Sequence, residues 1–158
     1  ALYPERFEMG EPYDGGRAAQ VSYYVGLALE NLGRRADAKA AYEAALKKDK
    51  KGTYLAYYQG LALRKLGDEK RAVALFDDLI SVGRDILAGA AGAGFFDKFG
   101  EGQPESIRKA QAHYAVGLGL AGKGSAAEAK EAFREAVRLN ANHLAARTAL
   151  SRMEKGRV

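Results

Sequence analysis

The sequence predicts an all-α fold in which three helical hairpins stack into a solenoid and one further C-terminal helix caps it. Internal self-similarity is the first reason. Tyr23-Tyr24-Val25-Gly26-Leu27-Ala28-Leu29 recurs 34 positions later as Tyr57-Tyr58-Gln59-Gly60-Leu61-Ala62-Leu63, and Leu32-Gly33 falls on Leu66-Gly67. A third copy, His113-Tyr114-Ala115-Val116-Gly117-Leu118-Gly119-Leu120, is displaced by 57, which leaves an insertion of 23 residues before it. The second reason is spacing: within each unit the apolar residues recur every three or four positions, as on one face of a helix.

Residues 1–16 read as an irregular N-terminal segment, with Pro4 and three glycines and neither an initiator Met nor an apolar signal core. The expectation is that the chain begins inside a longer polypeptide or after a processed tag. The repeat domain then spans 17–158, its first unit covering about 19–52. There Gly26 sits where the paired helices approach closely, Gly33 ends the first helix in a left-handed backbone, and Ala38 and Tyr42 supply the facing small and aromatic residues.

The second unit, about 53–87, repeats this with Gly60, Gly67, Ala72 and Phe76, and Asp68 is placed to cap a long second helix reaching about Leu87. The insertion, about 88–105, holds helix-breaking glycines at 89, 92, 94, 100 and 102 together with Phe95, Phe96 and Phe99. Three phenylalanines so close together must be buried, either against the lengthened helix and third unit or against a partner or second copy. The third unit, about 110–141, carries Gly117, Gly124, Ala129 and Phe133, and Ser125 with Glu128 spells a capping box. Residues 142–155 give one amphipathic helix without a partner, the expected cover for the last hairpin's apolar face.

Composition excludes several classes of function. No run approaches the roughly 18–20 apolar residues of a membrane span. Zero cysteines remove disulfides, thiolate metal sites and cysteine nucleophiles, and fit a cytoplasmic location without requiring one. A net charge of +5 favours acidic partners but falls short of a nucleic-acid surface, because basic and acidic residues are interspersed. The densest basic run, Lys47 to Lys51, sits at an expected helix end, where cations meet the dipole.

No catalytic constellation emerges. The two histidines, His113 and His143, fall on different predicted helices without a metal-ligand pattern, and adjacent Asp77 and Asp78 point about 100° apart on a helix. Gly117 to Ser125 nearly spells a phosphate-binding loop, yet the hydroxyl residue is missing at 124 and no strand precedes it. The chain reads as a non-enzyme without cofactor or metal.

The small residue eight into each unit, the turn glycine, the alanine at twenty and the aromatic at twenty-four resemble the tetratricopeptide repeat. The resemblance implies a right-handed α–α superhelix and a protein-interaction scaffold. The pattern departs from the family at the repeat-ending proline, whose positions hold Lys50, Arg84 and Ala141, so the second unit's last helix is free to run on.

In this family the first helices line a concave groove, through their second, sixth, ninth and thirteenth positions. Here those are Gln20, Tyr24, Leu27 and Asn31, then Tyr54, Tyr58, Leu61 and Lys65, then Gln111, Ala115, Leu118 and Gly122. The second and sixth positions, Gln20, Tyr24, Tyr54, Tyr58, Gln111 and Ala115, lack the lysine, asparagine and arginine with which some members clamp a C-terminal carboxylate. The groove's tyrosines suit an extended or helical peptide, each offering a large rigid contact and a hydroxyl, unless Tyr24 and Tyr58 serve to pack neighbouring hairpins together. The expected partner is therefore a protein or peptide, with no nucleic acid and no membrane.

The alternative is an intramolecular or self-associating structural module, the latter a homodimer through Phe95, Phe96 and Phe99. The chain is also similar to the repeat-containing C-terminal region of large bacterial proteins with domains like carbohydrate-active enzymes. Asp77-Asp78-Leu79-Ile80, the phenylalanine insertion, His113-Tyr114 and Asn142-His143 carry that similarity.

Overall fold

In the computed structural model, residues 18–47, 54–89 and 104–156 are described, and these form seven helices. α1 (Ala18–Asn31) pairs with α2 (Arg35–Ala45), α3 (Tyr54–Lys65) with α4 (Glu69–Leu87), and α5 (Glu105–Gly122) with α6 (Ala126–Leu139), while α7 (Leu144–Glu154) packs on α6. The expected solenoid of three hairpins and a closing helix is what the chain forms. Residues 1–16, Lys50 and the phenylalanines Phe95, Phe96 and Phe99 lie outside the described residues.

The three hairpin turns share one construction. Gly33, Gly67 and Gly124 have φ of +74°, +86° and +84°, a region costly for any residue with a Cβ. The following amide reaches back five residues in every case: Arg34 to Leu29, Asp68 to Leu63 and Ser125 to Leu120, each N–H donating to a carbonyl at 2.9 Å. Asp68 also caps α4, its carboxylate accepting the amide of Arg71 at 3.1 Å. The capping box expected at Ser125 does not form, since its hydroxyl makes no cap bond. The two N-cap residues share ψ, 69° for Asp68 and 67° for Ser125, but differ in φ, −96° against −76°.

Each hairpin is locked by one glycine and one ring. A Cβ on Gly26 would enter the ring of Tyr42, on Gly60 that of Phe76 and on Gly117 that of Phe133. Ala38, Ala72 and Ala129 are buried on the same second helices. Lacking a proline, α4 runs on through Arg84 to Leu87 and lies along α5. Two glycines outside the repeat pattern allow that approach. A Cβ on Gly83 would lie 2.7 Å from the carbonyl oxygen of Ala112, and one on Gly119 would lie 2.5 Å from that of Phe76.

Hairpins join through one face of each first helix. Leu55, Gln59 and Ala62 of α3 are buried there, as are Ala112, Val116 and Gly119 of α5. In α7 the same register gives buried Ala146 with Leu150 and Met153 packed on the core of the third hairpin. On α1 the equivalents Val21 and Val25 are 56% and 46% exposed. That helix, with Glu30 its one charged residue, presents to solvent the face its successors bury.

Candidate partner-binding groove

α1, α3, α5 and α7 are the first helices of the stack, and side-by-side packing of α1 on α3 and α3 on α5 forms one continuous surface. That surface curves inward. Arg152 of α7 donates through Nη1 to the Tyr24 hydroxyl of α1 at 3.2 Å, although two first helices intervene. Only a concave arrangement brings the first and last rungs within side-chain reach.

The floor of the concavity is aromatic. Tyr24 and Tyr58 have ring centroids 5.8 Å apart, Tyr23 lies 5.6 Å from Tyr24 and 6.1 Å from Tyr58, and Tyr57 lies 5.3 Å from Tyr58. These separations suit tilted and edge-on ring pairs. Tyr57 continues the contact to Phe76 at 6.1 Å, and Tyr23 continues it to Tyr42 at 6.0 Å, so the groove lining is joined to the rings that lock the hairpins. Burial, helped by neighbouring tyrosines, pushes the hydroxyls of Tyr57 and Tyr114 up to about 12, and burial is also the main cause raising Tyr23 and Tyr58. These four hydroxyls are therefore neutral across the ordinary pH range.

The residues expected in the groove divide by depth. Gln20 donates to the Tyr58 hydroxyl at 2.9 Å, bridging the first two rungs, and Tyr24 and Tyr54 remain 39% exposed. Leu27 and Leu61 are half-buried, and Asn31 is exposed at the end of α1. Lys65 is held by Glu30 at 2.7 Å, and Glu30 also accepts the Tyr42 hydroxyl at 2.8 Å. These two bonds, Lys65 first, hold the Glu30 carboxyl below its ordinary value. On the third rung Leu118 and Gly122 are buried, Ala115 is half-buried, and Gln111 keeps its Oε1 buried without a hydrogen-bond partner among the described residues.

A wide, shallow depression lined by Gln20, Val21, Tyr24, Val25 and Ala28 continues the groove over the edge of α1. At the opposite end, the ring of His143 lies 4.8 Å from that of Tyr114, and its Nδ1 accepts the amide of Ala146 at 3.2 Å, capping α7. That bond assigns the neutral ring's proton to Nε2, and burial lowers the His143 pKa. His113 is half-buried and likewise lowered by burial. No three His, Asp or Glu side chains converge on a metal-sized site among the described residues. Gly117, Gly119 and Gly122 lie within α5, where they admit neighbouring helices rather than cradling a ligand.

Arg152 was missing from the sequence reading of the groove. Counting 34 onward from Leu118 lands on it, in the ninth position shared by Leu27 and Leu61. The signal was present, but an unpaired helix read as a cover was not also read as a rung.

Two tetratricopeptide-repeat family models match the chain, one over residues 20–51 and 54–82 and the other over residues 110–143. No curated protein sequence matches it. Among solved structures, the 41-to-end form of MamA from Desulfovibrio magneticus RS-1 is similar, at 21% identity and a TM-score of 0.30 over 90% of this chain and 88% of that one. A double mutant of MamA from RS-1 gives 21% identity and a TM-score of 0.28 over 87% and 84%.

Proposed function

Because the chain belongs to the tetratricopeptide repeat family, whose domains are generally protein-interaction modules, we propose that it acts as a non-catalytic scaffold that takes a peptide or protein segment into its concave groove. The observation that carries this reading is the partly exposed tyrosine layer, with Tyr24 and Tyr54 open to solvent on a preformed surface of packed first helices. Rings already held by their neighbours lose little freedom when a partner covers them, which favours binding. No helix among the described residues is long and apolar enough to cross a membrane.

The test is selection of displayed random dodecamer peptides on the immobilised wild-type chain, with Tyr24→Ala/Tyr58→Ala as the comparison. The double variant should keep its helical circular dichroism and lose the peptides that wild type retains. Peptides held equally by both proteins would refute groove binding.

A further inference from the structure

Arg152 occupies the groove position of a fourth rung. α7 packs through Ala146, Leu150 and Met153, the register by which α3 and α5 pack through Leu55, Gln59, Ala62 and Ala112, Val116, Gly119. The same face inward means the same face outward, so residue 152 projects where Leu27 and Leu61 project on earlier rungs. The bond from its Nη1 to Tyr24 confirms the direction.

The charge there is not balanced. Lys65 and Arg64, the cations at the end of α3, each have a carboxylate: Glu30 at 2.7 Å and Glu69 at 2.6 Å. Glu154, two residues from Arg152, leans instead toward Arg134 at 3.9 Å. Among the described residues Arg152 has no acidic partner within 4 Å, and its recorded hydrogen bond goes to a neutral hydroxyl. A guanidinium carries five N–H donors in a planar fork matched to a carboxylate's two oxygens. One donor is used here. Tyr24 accepts that bond and is also hydrogen-bonded to the Tyr58 hydroxyl.

We propose that Arg152 and the Tyr24 hydroxyl form an acid-recognition point in the groove, and that the segment the groove takes is a peptide carrying an aspartate or glutamate flanked by apolar residues. This rests on the groove reading above and names the ligand's chemistry. The carboxylate takes the guanidinium fork beside the Tyr24 hydroxyl, and the flanking side chains cover Tyr58, Leu61 and Leu27. A basic peptide is repelled, and a neutral one leaves the cation unanswered.

Selection of random dodecamers on wild type and on Arg152→Gln, followed by fluorescence anisotropy of the best peptide and its Glu→Gln counterpart, separates the possibilities. The expected result is an acidic residue in the wild-type consensus and none in the variant's, with affinity for the acidic peptide falling at least about tenfold on Arg152→Gln and with added salt. Arg152→Lys, which keeps the charge without the fork, should recover part of that loss. A consensus that lacks an acidic residue, or equal affinities for both peptides on both proteins, would overturn the acid-recognition point while leaving groove binding intact. Absence of any consensus whose binding depends on Tyr24 and Tyr58 would overturn the groove reading and this inference with it.

Discussion

Replacing Gly60 with alanine pits two opposed effects of known sign against each other. In a helix with room for a methyl group, Gly→Ala stabilises by about 1 kcal/mol through propensity alone. At Gly60 the new Cβ would lie 2.5 Å from Cε1 and 2.7 Å from Cζ of Phe76, about 1 Å inside ordinary carbon contact. The ring has nowhere to retreat. It is fully buried, the Cδ1–Cε1 edge that faces Gly60 also abuts Gly122 of α5, and the Arg64 guanidinium stands 5.2 Å from its centroid while donating to the Gly122 carbonyl at 2.7 Å.

The helices must therefore part, and overpacking of this kind costs about 1–3 kcal/mol. Subtracting the propensity gain leaves a net loss of up to about 2 kcal/mol, or a fall in Tm of up to about 8 °C for a chain of this length. Urea unfolding followed by circular dichroism at 222 nm measures it. Phe76→Leu in the Gly60→Ala background should cost less than in wild type by about 1 kcal/mol, since the shorter side chain clears the methyl group. A raised urea midpoint for Gly60→Ala, or independent effects of the two substitutions, would refute the account of the hairpin lock.

Two further outcomes can be checked by the same method. Val25 and Val116 hold one register position on α1 and α5 but are 46% and 8% exposed, so Val116→Ser should lower stability by about 2 kcal/mol or more and Val25→Ser by under about 1 kcal/mol; equal losses would show that the α1 face is covered after all. Acidification should weaken the fold through His143: burial lowers its folded pKa below the ordinary value, so the unfolded chain takes the proton first. Stability is then full above about pH 6.5 and falls as pH drops below it, until the folded ring also protonates. His143→Asn keeps a capping acceptor without the titration and should reduce the fall of the urea midpoint between pH 7.5 and 5, leaving the slope due to His113; an unchanged slope would refute the role of the cap.

The legible parts of this fold are those written within one repeat. Gly60 and Phe76 stand 16 residues apart in the sequence, and the pairing recurs at Gly26 with Tyr42 and Gly117 with Phe133, so a single comparison of the chain with itself exposes the lock. Gly33, Gly67 and Gly124 were readable for the same reason. Gly83 and Gly119 were not, because each serves the contact of α4 with α5 at a position where the other repeats hold no glycine: Asp49 and Asn140 match Gly83, and Ala28 and Ala62 match Gly119. The Ser125 cap misled because a box motif records residue types and not whether the side chain turns to the cap.

In the groove, the order Gln20, Tyr24, Tyr54, Tyr58 came from counting. The meeting of Tyr24 with Arg152 did not, since curvature accumulates from small rotations at each interface and no local pattern encodes the sum.

That meeting also bears on how the molecule deforms. A stack held by neighbour-to-neighbour contacts behaves like a spring, its pitch free to tighten or relax by small shifts at every joint. Here the phenol of the first coil already touches the guanidinium of the last. Relaxing costs one exposed polar bond, and the distance between residues 24 and 152 is the natural gauge of the groove's width.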